Sequence, residues 1–109
     1  MKVVLINSYS TNKWASHRPA VYHRGSYYAI GSIDSYGAQP LLRQGLAVRL
    51  QAKEYSFINK NSYIQPGFTS KSEDVRVVRV LGDVEPAKAE AFDHVLTRYR
   101  MRRLPVRPL

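Results

Sequence analysis

The sequence has no cysteine, only three histidines, one tryptophan and eight acidic residues. Without cysteine there is no disulfide framework, no zinc ribbon or finger, no iron–sulfur site and no thiol nucleophile. No apolar run approaches the roughly 18–20 uncharged residues that a membrane span needs, and the opening Met1–Asn7 is too short for a signal-peptide core. The chain therefore reads as soluble and cytoplasmic. Signature loops are missing as well: there is no Walker loop, no G-x-G-x-x-G, no G-x-S-x-G and no H-E-x-x-H or other metal-ligand spacing. No metal and no cofactor are expected, and any chemistry falls to His, Asp, Glu, Arg, Ser or Tyr.

What is abundant is positive charge. Seventeen Lys and Arg against eight Asp and Glu leave a net charge of +9. Eleven of the seventeen bases are Arg, whose planar fork suits phosphate and base edges. A polyanion is the expected partner, and a basic surface serving only solubility is the plainer alternative. Residues 1–72 carry +7, residues 73–93 carry −3 and residues 94–109 carry +5, so two basic blocks flank an acidic stretch. With 109 residues and 44% apolar content, the chain has material for one packed core, so residues 1–109 are read as a single domain, with 102–109 as a flexible basic tail.

Val3–Ile6 is a short β-branched, apolar run and predicts a buried strand, whereas the polar, aperiodic residues 8–18 predict a loop carrying Tyr9 and Trp14. Pro19–His23 and Tyr27–Ile33 flank Arg24-Gly25-Ser26 in the spacing of a hairpin, with Gly25 in the turn. Residues 34–45 read as a long connection, Leu46–Leu50 as a strand, and Ser62–Gln65 as a strand stopped by Pro66-Gly67. Val75–Leu81 is the cleanest strand, closed by Gly82-Asp83. The period then changes from 2 to 3.6: Pro86 opens a helix to about residue 101, with Ala87, Ala91, Val95, and Leu96 or Tyr99 on one stripe beside Phe92. Pro105 and Pro108 prevent its continuation. The fold class is mainly β with a C-terminal helix, arranged as a small, strongly bent antiparallel sheet or barrel.

Among the few residues able to move protons, His17 stands before Arg18-Pro19 where the predicted loop meets a strand, and His94 reads as a surface residue of the helix. A solvated loop side chain is the plainer reading of His17. Eight tyrosines interleave with bases, as in Tyr22-His23-Arg24, a pattern in which rings stack nucleobases while cations hold phosphates. The same tyrosines also suit the core of a small barrel.

The segment Ser16-His17-Arg18-Pro19-Ala20-Val21 resembles the PemK/MazF-like toxin family, whose members carry R-P-A-V or R-P-x-L-V on entry to the second strand. In order, Gly31–Ser35 is similar to the family's apolar strand ending in Thr-Ser, Lys60–Ile64 to its K-x-S-x-I segment, and Val77–Gly82 with the helix to its closing elements. The resemblance implies a small dimeric barrel that cuts single-stranded RNA without metal and is neutralised by a cognate acidic antitoxin. It places Arg18 on the family's loop-end arginine and Ser35 on the serine of the Thr-Ser pair. Asp34 stands where threonine is usual, and Ser62–Gln65 lacks the Arg and Asp that some members use. Cleavage through the 2′-hydroxyl requires a base, a cation for the developing charge and an acid. Arg18 supplies the cation, and His17, His23 or Asp34 the proton transfers. The candidate catalytic set is Arg18, His17, Asp34 and Ser35; Trp14, His23, Arg24, Tyr63, Arg98 and Arg100 are candidate RNA contacts. Two other readings are a non-catalytic nucleic-acid-binding barrel and a toxin of the same fold that poisons a protein target.

Overall fold

A computed structural model describes residues 1–10, 13–34, 37–51, 61–66 and 75–103. In chain order the elements are β1 (Lys2–Ser10), β2 (Lys13–His23), β3 (Ser26–Ser32), α1 (Ala38–Arg43), β4 (Val48–Gln51), β5 (Asn61–Ile64), β6 (Val75–Asp83) and α2 (Pro86–Arg103). The strands form one antiparallel sheet in the order β4-β5-β3-β2-β1-β6. It bends because β3 changes neighbours: Ser26–Ala29 pair with β2, and Ile30–Ser32 pair with β5 on the other edge. The sheet is not closed; among the described residues β4 and β6 remain its two edges.

The stretch 8–18 departs from expectation. Its described residues are paired strands, since β1 runs to Ser10 and β2 begins at Lys13 with Ser8↔Ala15 and Tyr9↔Trp14 in register. Its buried position here is Ser8 rather than an apolar residue, so no alternation of apolar residues marks the strand pair. The next hairpin follows its sequence signal. His23 pairs with Ser26, and both turn residues have positive φ, Arg24 at 49° and Gly25 at 82°, the pattern of a two-residue type I′ turn. The connection 34–45 contains the one-and-a-half-turn helix α1, and α2 extends through Arg103, taking in the first two residues of the expected tail. Residues 104–109 lie outside the described residues.

Helix α2 packs its apolar side on one face of the sheet. Val3, Val21, Tyr28, Val48, Leu50 and Ile64 from five strands meet Phe92, Val95 and Leu96 there. Phe92 is fully buried, and the Tyr28 ring meets it edge-on at 5.0 Å. The buried stripe thus runs through Phe92, Val95 and Leu96, while Ala87 and Ala91 are exposed. Large side chains fix the rotation of the helix because a methyl removes far less surface from water than a phenyl or isobutyl group does. The opposite face carries a smaller cluster of Val4, Ile6 and Ala20, with Tyr27 and Val75 packed against it.

Gly31 answers a packing need in β3. A Cβ built there would come 2.9 Å from the buried Tyr63 ring and 2.5 Å from Gln65 Nε2. The Gln65 amide can swing away, but the ring is only 3% exposed and is held in place. Gly31→Ala is expected to destabilise the fold by about 1–3 kcal/mol through overpacking. Chemical denaturation of the two proteins checks this, with a fall in midpoint at unchanged slope as the expected result.

Candidate nucleic-acid interface

Between Ile6↔Arg18 and Ser8↔Ala15 the β1–β2 register slips, so Ser16 and His17 together stand opposite Asn7. This is a β-bulge, and it places His17 in the left-handed region at φ 54°. A non-glycine residue costs about 1–2 kcal/mol there. The His17 backbone N–H donates to Asn7 Oδ1 at 3.0 Å, which anchors the bulge. The result is a fixed step that leaves the His17 and Arg18 side chains exposed on consecutive residues of a paired strand.

Three residues before His17, Trp14 is 43% exposed and its ring tilts against that of Tyr9, 39% exposed, at 5.3 Å. The Arg76 guanidinium of β6 sits over the Trp14 ring, 4.7 Å from its centroid. Tyr9 of β1, Trp14 of β2 and Arg76 of β6 therefore form one exposed patch, while the register sets Arg18 opposite Ile6 on the other face of the sheet. Rings and guanidinium groups of this kind are what single-stranded nucleic acid uses for stacking and for phosphate contact. Reading the sequence missed Tyr9 and Arg76. Tyr9 lies in a stretch whose polar, aperiodic sequence predicts a loop, and Arg76 reaches Trp14 only because β6 pairs with β1.

The remaining candidates are dispersed. Asp34 is exposed in the turn after β3, its backbone N–H donating to Ser32 Oγ at 3.2 Å, and Ser35 lies outside the described residues. Tyr63 is buried, with its hydroxyl accepting from Gln65 Nε2 at 3.2 Å, so its ring has no open face for a base. Arg98 Nη1 donates to the carbonyl of Gly45 at 3.3 Å and ties α2 to the chain after α1. His23 also points inward. Its ring is buried edge-on to Phe92 at 5.8 Å, which removes it from the surface where a strand would bind. Among the described residues no three His, Asp or Glu side chains cluster in a way that would hold a metal ion, and no helix is long and apolar enough to cross a membrane.

His23 and Arg24 instead converge on Asp93 of α2, a residue that carried no signal in the sequence because its partners are about 70 positions away. Asp93 Oδ1 lies 2.7 Å from His23 Nε2 and accepts from Arg24 Nε at 3.0 Å, while Oδ2 accepts from Arg24 Nη2 at 3.1 Å. The hydrogen bonds from Arg24 and then His23 hold the Asp93 carboxyl well below the usual carboxylate range. An ionised carboxylate only accepts, so His23 Nε2 carries the proton in this pair. A carboxyl depressed in the folded state adds stability that is complete above its unfolded pKa and is lost as pH falls through the folded one. The parent protein is therefore expected to lose stability on acidification below about pH 4 more steeply than Asp93→Asn. At pH 7 the variant should be weaker by on the order of 1 kcal/mol, a modest figure because the carboxylate is 35% exposed and screened. Melting temperatures of both proteins between pH 2 and 7 check the two halves of this expectation.

Compared with models of known protein families and with curated proteins, the sequence matches none.

Proposed function

We propose that this chain is a metal-independent endoribonuclease of the toxin type that binds single-stranded RNA along Tyr9, Trp14 and Arg76 and cleaves it beside His17 and Arg18. The observation that carries the reading is the bulge in β2, which leaves the His17 imidazole and the Arg18 guanidinium exposed on consecutive residues, three and four positions along the strand from Trp14. The resemblance around Arg18-Pro19-Ala20-Val21 and the net charge of +9 support it further. In the proposed reaction the 2′-hydroxyl gives its proton to a base and its oxygen attacks the neighbouring phosphorus. The 5′-oxygen then departs with a proton from an acid, leaving a 2′,3′-cyclic phosphate. Arg18 stabilises the charge that builds on the phosphoryl oxygens, and His17 moves protons. Asp34 and Ser35 are the further candidates for the site. On this reading the partners are RNA, a second copy of the chain and an acidic antitoxin.

The test is incubation of the full chain with a long single-stranded RNA in EDTA. Cleavage products ending in cyclic phosphate support the proposal. RNA that is retarded but intact assigns the strip of Tyr9, Trp14 and Arg76 to a non-catalytic binding module, and RNA that is neither bound nor cut points to a protein target.

A further inference from the structure

A second polar site lies where the β2–β3 turn meets α2. A cleft of about 320 Å³ opens there, lined by Arg24, Ser26 and Tyr28 from the hairpin and by Asp93, Leu96, Thr97 and Arg100 from the helix. Asp93, Thr97 and Arg100 recur at helical spacing and so form one stripe beside the turn. The Asp93 carboxylate is already occupied by His23 and Arg24, and Thr97 Oγ1 donates to the Asp93 carbonyl at 3.0 Å. Donor capacity is therefore left chiefly to the guanidinium groups. Arg24 directs Nε and one N–H of Nη2 at Asp93, which leaves its Nη1 group and the second Nη2 hydrogen for a ligand. Arg100 is exposed, and a flexible guanidinium there can close over the cleft.

Two positive charges and one negative charge line this space, a balance of one positive charge. Arg24 also occupies a left-handed turn position that asparagine or glycine fills at lower cost, and backbone strain of this kind gathers where a side chain has work to do. We infer that the cleft binds a singly charged phosphate diester, gripped between Arg24 and Arg100 with Ser26 beside it and Leu96 under the attached sugar. Its volume falls at the small end of ligand sites, as a single nucleotide requires. The site is about 20 Å from Arg18, counted as six residues along β2 at strand rise.

The diester can belong to an RNA strand or to a free cyclic nucleotide, and titrations followed by amide resonances distinguish them. The probes are the dinucleoside monophosphate ApA, 3′,5′-cyclic AMP and uncharged adenosine, each added to the full chain. Saturable shifts at Ser26, Thr97 and Arg100 with ApA alone assign the site to a strand, and shifts with both phosphates assign it to a free nucleotide. Arg100→Ala is expected to weaken that binding by about tenfold or more, the scale of losing a charge-assisted hydrogen bond. Arg24→Asn should do the same while keeping the turn, because asparagine accepts positive φ. Adenosine binding as well as ApA, affinity unchanged in Arg100→Ala, or shifts confined to the Trp14 and Arg18 surface would each overturn the inference.

Discussion

On the proposed function, Arg18→Ala is expected to lower the rate of RNA cleavage by about 10²- to 10³-fold, the usual loss when one preorganised donor to a developing oxyanion is removed. Melting should change little, because the side chain is exposed and alanine keeps the backbone pairing with Ile6. Surface replacements of this kind stay within about 0.5 kcal/mol. The distinguishing measurement is the single-turnover rate on a defined oligonucleotide, beside a thermal melt of the same preparation. A folded variant that keeps more than about half the parent's rate excludes Arg18 from the site, since no transition-state contact is that weak. A variant that binds as tightly as the parent but does not cleave assigns Arg18 to the transition state rather than to ground-state binding.

Phe92→Ala carries the largest expected effect on stability, about 3–5 kcal/mol, against a total of about 5–15 kcal/mol for a domain of this size. The ring is fully buried at the centre of the main cluster, and its edge contacts with Tyr28 and His23 disappear with it. At about 4–8 °C per kcal/mol the melting temperature should fall by at least about 12 °C. The same change should loosen the hold of His23 and Arg24 on Asp93, because Asp93 follows Phe92 on the helix. Calorimetry on the parent and the variant measures the first effect, and the acid profile of the variant, flattened toward that of Asp93→Asn, measures the second. A drop of only a few degrees would mean that α2 contributes little to the core.

Both expectations depend on features that the sequence displays unequally. The hairpin at Arg24-Gly25, the strand Val75–Leu81 and the closing helix are legible because each has local causes. These are a glycine that accepts positive φ, a run of β-branched residues, and a proline suited to a first helical turn. Tyr9–Trp14 was illegible as a strand pair because its side chains are polar or exposed and leave no periodic trace. The rotation of α2 was half legible: its amphipathic character is periodic, but Ala87 and Ala91 fit the same stripe as well as Phe92 does until a sheet is placed against them. His23 and Tyr63 look like surface residues in a list of tyrosines and bases, and only packing shows them to be interior.

By itself, then, the amino-acid sequence determined the composition-level facts: no thiol or cysteine-based metal chemistry, a strong positive charge, and a β-rich chain ending in a helix. It also marked Arg18 and His17 as neighbours, since adjacency needs no fold. Tertiary structure alone decided that Arg76 lies over Trp14, that Asp93 joins His23 and Arg24, and that Arg24 and Arg100 face one cleft. The reason is range. Propensity, turn chemistry and periodicity act over a few residues, whereas these contacts join side chains about 60–80 positions apart, brought together when strand pairing and burial of Phe92 fix how the sheet bends and where the helix lies.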